Sequence, residues 1–133
     1  MSDNELDKIR LRKVAELLRL QSIPEKIINV STTDEFKKLL NDFPDKIIVI
    51  DFWAVWCAPC KMYAPVFKKA HEEFTSDFIF TKINSDENPS IAQYFGITSI
   101  PTTLFIKGKQ VVHKFSGVVN YETLKHILEK LKS

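Results

Sequence analysis

The sequence predicts an α/β fold: a central mixed β-sheet with helices on both faces, preceded by an N-terminal helix. Three observations carry this. Strand and helix patterns alternate from Lys26 to the end of the chain. Two of the strands, KIIVIDFWA and FIFTKI, are apolar on both sides, so both faces of their sheet must be covered. The 133 residues suit one domain, long enough to bury a core without staples.

The elements follow in order. Residues 3–20 read as a helix. Leu11, Val14, Ala15 and Leu18 share one arc, and Leu6, Ile9, Leu17 and Leu20 a second. Ser22-Ile23-Pro24 breaks that pattern, so residues 1–24 form an extension ahead of a domain over 25–133. Lys26–Val30 is a short strand. Ser31-Thr32-Thr33-Asp34 supplies cap residues for a helix to about Asn41. Lys46–Ala54 is the strongest strand, β-branched and aromatic. A helix over Ala58–Thr75 carries Pro65, which should bend it. Asp77–Ile83 is another buried strand, and Pro89–Phe95 a short helix that stops at Gly96. Thr102–Lys107 and Gln110–Phe115 form a hairpin across Lys107-Gly108-Lys109, adding antiparallel strands at one edge. Asn120 caps a last helix through Leu131. Phe52, Phe67, Phe78 and Phe80 read as core, and Trp53 as packed inside.

Charge excludes some functions. The net charge is +2, with no basic block, which points to neither nucleic acid nor an acidic membrane as partner. No apolar run approaches the roughly 18–20 residues that span a bilayer. The start, MSDNELDKIRLRK, lacks the pattern of a secretory signal, so the expected location is the cytoplasm. There is no GxGxxG and only 3 glycines in all, so no nucleotide or flavin site is expected.

The chemistry lies in WCAPCK, residues 56–61, where the central strand gives way to a helix. Its two cysteines, Cys57 and Cys60, are the only ones in the chain. A bridge so short constrains the unfolded chain little, which favours reactivity over stapling. Cys57 falls at or just before the helix start, where free N–H groups and the dipole favour an anion. Its pKa should drop by roughly one unit or more. Cys60 lies within the first turn, in reach of a mixed disulfide on Cys57, and should be the less exposed and less acidic of the two. Pro59 has a φ suited to a first turn, and Lys61 adds a nearby positive charge. The alternative is half of a zinc site, which needs two more ligands; His71, His113 and His126 are scattered over three elements.

Trp56-Cys57-Ala58-Pro59-Cys60-Lys61 resembles the Trp-Cys-Gly-Pro-Cys-Lys run of the thioredoxin family, and the likeness covers about residues 25–133. The resemblance implies the thioredoxin fold and a dithiol that reduces disulfides in other proteins. It implies re-reduction by a thioredoxin reductase, with no cofactor beyond the Cys57–Cys60 disulfide. Asp51 matches the family's buried acid, which takes the proton of the second thiol, and Lys82 matches the lysine that modulates it. Ile100-Pro101-Thr102 resembles the cis-proline loop that faces the dithiol and pairs with an extended substrate. Gly117-Val118 matches the loop that completes the substrate surface. Together with Trp56, Ala58, Pro59 and Ile100 it implies a small apolar patch around Cys57. Ala58 in place of glycine leaves the reduction potential open, and Val55 stands where relatives often carry an acid. Residues 1–24 have no counterpart in the minimal family member. Rival readings are a thiol–disulfide oxidase or isomerase, and an interaction module that uses the fold as a scaffold.

Overall fold

The computed structural model describes residues 4–12 and 23–132. Residues 4–12 are helical (α1), in line with the expected N-terminal helix; the rest of the 3–20 pattern lies outside the described residues. The elements that follow are β1 (Ile28–Val30), α2 (Thr33–Asp42), β2 (Ile47–Trp53), α3 (Ala58–Phe74), β3 (Phe78–Asn84), α4 (Pro89–Tyr94), β4 (Thr102–Lys107), β5 (Gln110–Ser116) and α5 (Tyr121–Lys132).

The five strands form one sheet in the order β1-β3-β2-β4-β5. β1 and β2 flank β3 in parallel, while β4 and β5 run antiparallel on the other side. The expected hairpin edge is therefore present. Gly108 sits at the first position of its turn with φ +64°, a conformation that glycine takes without a Cβ penalty.

Strand alternation splits the core into two layers. Ile48, Ile50 and Phe52 of β2, Ile79 and Ile83 of β3, and Leu104 and Ile106 of β4 face Phe36 and Leu39 of α2 and Ile91 of α4. Ile23, which the sequence puts in the extension, packs half-buried against this layer. Val49, Phe78, Phe80 and Phe105 face the opposite way, against Tyr63, Phe67 and Phe74 of α3 and Leu124 and Leu128 of α5. Asp51, Lys82 and Thr103 belong to this second face, because each lies two residues along its strand from one of those side chains.

Local signals account for the element ends. Thr32 caps α2 by accepting from the Glu35 N–H, while the Glu35 carboxylate accepts from the Ser31 N–H. Asn120 caps α5 by accepting from the Thr123 N–H. Gly96, with φ +64°, closes α4 as Ile97 N–H donates to the Ala92 carbonyl. The first strand is shorter than expected. Its ladder starts at Ile28, opposite Thr81. No helix among the described residues is long and apolar enough to cross a membrane.

Candidate active site

The site lies at the carboxyl end of β2, the place where open α/β sheets bind ligands. Cys57 is the N-cap of α3, and its Sγ accepts from the Cys60 N–H at 3.2 Å. Ala58 and Pro59 occupy the first two helical positions, where a missing proline N–H costs nothing. Cys57 and Cys60 are joined as a disulfide, with Cα atoms 5.3 Å apart. Pro65 lies inside α3, and its ring removes the N–H that would have bonded the Lys61 carbonyl.

Both cysteines are covered, Cys57 at 2% and Cys60 at 4% exposure. The expected contrast, with Cys57 the more open, is absent from the oxidised pair. Trp53 and Ile100 pack against the two sulfurs and Ala54, which closes over both alike. The Cys57 Sγ lies 3.8 Å from the Ile100 carbonyl oxygen. Ile100–Pro101 is a cis peptide, and the Pro101 carbonyl accepts from the Gly117 N–H at 2.8 Å.

A hollow of about 340 Å³ opens beside Cys57. Trp56, Pro59 and Ile100 line it, as the resemblance implies, and so do Ser85, Asp86, Thr98 and Ser99. The hollow is mainly apolar, with these four side chains as a polar rim. Trp56 is 70% exposed, and its Nε1 donates to Asp86 Oδ2 at 2.7 Å, which pins the indole against the loop after β3. Ala58 and Val118 are exposed nearby, but neither Val118 nor Gly117 lines the hollow. Patterning gave no sign of Asp86. Its one available signal was position, in a polar loop at the carboxyl end of a parallel strand. A larger hollow of about 500 Å³ lies on the other side of the sheet, between Phe36, Leu40 and Tyr94, away from the cysteines.

Beneath α3, Asp51 is buried at 1% exposure in an otherwise apolar strand. Neither carboxylate oxygen has a hydrogen-bond partner among the described residues. Burial pushes its pKa up to about 7, and the positive charge of Lys82 opposes that rise. Lys82 is opposite Asp51 in the ladder, yet its Nζ reaches over the Trp53 ring, 5.1 Å from the centroid, instead of bonding the carboxylate. Tyr63 and Thr103 also meet here, although patterning assigned them no role. The Thr103 hydroxyl donates to the Tyr63 oxygen at 2.9 Å, with both side chains buried. No cluster of three or more His, Cys, Asp or Glu side chains suited to a metal occurs among the described residues.

A cap sulfur, a second sulfur one turn on and a carboxyl pushed up toward neutrality by burial can pass a disulfide to and from a partner. The molecule is thus of the thiol–disulfide oxidoreductase class. Comparisons agree with this. The family model described as Thioredoxin matches residues 27–130. Thioredoxin 1 of Nostoc sp. is 41% identical over 99 residues, which are 74% of this chain and 92% of the relative. The thioredoxin of Chlorobaculum thiosulfatiphilum is 47% identical over 75 residues, covering 56% and 69%. Among solved structures, Malassezia sympodialis thioredoxin superposes with a TM-score of 0.75 at 34% identity, over 84% of this chain and 96% of that one. The chain belongs to the thioredoxin family, and it is a protein-disulfide reductase with a redox-active cysteine pair.

Proposed function

We propose that Cys57 attacks disulfides in target proteins, that Cys60 resolves the mixed disulfide, and that a thioredoxin reductase restores the dithiol. The observation that carries this is the position of the Cys57 sulfur, at the N-cap of α3 with the Cys60 N–H pointing at it. Once the disulfide opens, that N–H and the helix dipole favour a thiolate on Cys57. The thiolate displaces one sulfur of the target, which leaves as a thiol, and forms a mixed disulfide. Asp51 then takes the proton of Cys60, and the Cys60 thiolate attacks Cys57 Sγ and expels the second target sulfur. Lys82 moderates Asp51 by its charge. Two electrons pass from the dithiol to the target, so each cycle needs an outside reductant.

Trp56, Ala58, Pro59, Ile100, Pro101, Gly117 and Val118 form the docking surface in this reading. The Ile100 backbone beside the sulfur suits pairing with an extended target segment. The protein works in the cytoplasm, in electron transport and redox homeostasis, through the domain over 25–133. Residues 1–24 serve as an accessory segment.

The test is reduction of insulin disulfides with dithiothreitol as donor. The native chain should turn over and Cys57→Ser should not. Cys60→Ser should accumulate mixed disulfides on Cys57 whose partners identify the targets. Turnover that survives Cys57→Ser would overturn the reading. A strongly oxidising reduction potential would favour an oxidase instead.

A further inference from the structure

The backbone of Ile100 faces Cys57, and the loop that carries it is held from one strand. That loop runs from Phe95, where α4 ends, to Pro101, before β4. Ile97, Thr98, Ser99 and Ile100 form one wall of the hollow beside Cys57. Lys114 of β5 donates from Nζ to the Phe95 carbonyl at 3.3 Å and to the Gly96 carbonyl at 3.4 Å, so a cation closes the carboxyl end of α4. The Thr102 hydroxyl donates to the Ser99 carbonyl at 2.6 Å. A hydroxyl has one proton, so the Ser116 hydroxyl, 3.1 Å away, must be the donor to Thr102 Oγ1. The Gly117 N–H donates to the Pro101 carbonyl. The carbonyls on either side of Ile100 are thereby occupied, and the Ile100 carbonyl is left 3.8 Å from the Cys57 sulfur. Lys114 and Ser116 stand on one face of β5, while Phe115 between them packs into the layer beneath α3 and α5. The strand is fixed from one face and grips the loop from the other.

We propose that Lys114 and Ser116 are positioning residues for target capture. Each holds one end of the loop, so that an extended target segment meets the Ile100 backbone already in place. This rests on the proposed role of that backbone as the docking strand. A loop that had to be ordered during capture would weaken each encounter, because fixing free backbone costs free energy. The partner is a polypeptide: a small disulfide offers no backbone to pair with and needs only the Cys57 sulfur. Loss of either anchor therefore slows reaction with protein disulfides and spares small ones.

The experiment uses the full-length chain with Lys114→Met, Ser116→Ala and Lys114→Arg, the last of which keeps the donors. Both positions lie at the surface, so the variants should fold. One arm reads amide hydrogen exchange at Ile97 and Gly117, whose N–H groups bond the Ala92 and Pro101 carbonyls. Exchange should quicken about fivefold at Ile97 in Lys114→Met and at Gly117 in Ser116→Ala, the worth of one hydrogen bond, and stay native in Lys114→Arg. The second arm compares the rates at which the reduced chain attacks insulin and hydroxyethyl disulfide. The insulin rate should fall about threefold or more in Lys114→Met and Ser116→Ala, while the small disulfide reacts as with the native chain. Exchange unchanged in both variants overturns the proposal and leaves the Ile100 backbone as the docking strand. Quicker exchange with a native insulin rate overturns it too, and takes the Ile100 backbone out of docking. Equal losses for insulin and the small disulfide also overturn it, since the effect would then lie at the sulfurs.

Discussion

At Asp51 a carboxyl is held out of water with neither a hydrogen bond nor an ion pair among the described residues. Its pKa of about 7 in the fold compares with 3.8 for the ordinary group. Below 3.8 the folded and unfolded chains both hold the proton, and the group adds no pH dependence. Between the two values the fold keeps the proton while the unfolded chain releases it, so stability falls as pH rises. Above about 7 the fold carries the whole cost of the buried charge, about 4 kcal/mol. Asp51→Asn should therefore raise the urea midpoint at about pH 8, by a few kcal/mol in stability, and have little effect near pH 4. Turnover should fall in the same variant, a trade of activity against stability. Asp51 was legible in the sequence because an acid inside IIVIDFW has no ordinary structural reason to be there. Its isolation was not, since that depends on Lys82 turning to Trp53 instead. The covering of Cys57 was equally hidden, because Ile100, which packs on it, is 43 residues away.

Helix starts were the most legible elements, and strand ends the least. Thr32, Asn120 and Pro89 announce their helices by side-chain or ring chemistry that acts within one turn. A strand ends where its neighbour stops offering partners, and that is a property of the assembled ladder. Hence β5 runs one residue past Phe115 to pair Ser116 with Thr102. Tyr63 and Thr103 were illegible for the same reason: their meeting needs both the register of β4 and the seating of α3. Thr32 allows a clean check at this scale. Thr32→Ala should cost about 1 kcal/mol through the lost cap of α2. Chemical denaturation measures that loss. Insulin reduction should be unchanged, because α2 packs on the layer that Cys57 does not touch.

Across the whole molecule, the two apolar layers divide the labour. One rests on α3 and α5 and carries Asp51, Tyr63 and the head of the redox helix; the other rests on α2 and α4 and receives Ile23. The family match begins at residue 27, inside the described body. Removing residues 1–22 should thus leave a folded chain that reduces insulin within about twofold of the native rate, a change of less than 1 kcal/mol in the barrier. A larger loss in the same assay would assign the leading segment a part in the reaction. The mixed sheet and the dithiol were readable because composition and spacing encode them directly. The polar rim of the hollow was not, because Ser85, Asp86, Thr98 and Ser99 come together only when two loops close on Trp56.

The chain has two tryptophans, and both stand next to the disulfide: Trp53 packs on the sulfurs and Trp56 immediately precedes Cys57. An excited indole readily loses an electron to a nearby disulfide and so goes dark. The oxidised protein should accordingly be dim and brighten when dithiothreitol opens the bond, while a Cys57→Ser/Cys60→Ser double variant should glow steadily under both conditions. Unlabelled emission would then serve as a native gauge of how much of the protein is charged with electrons at any moment.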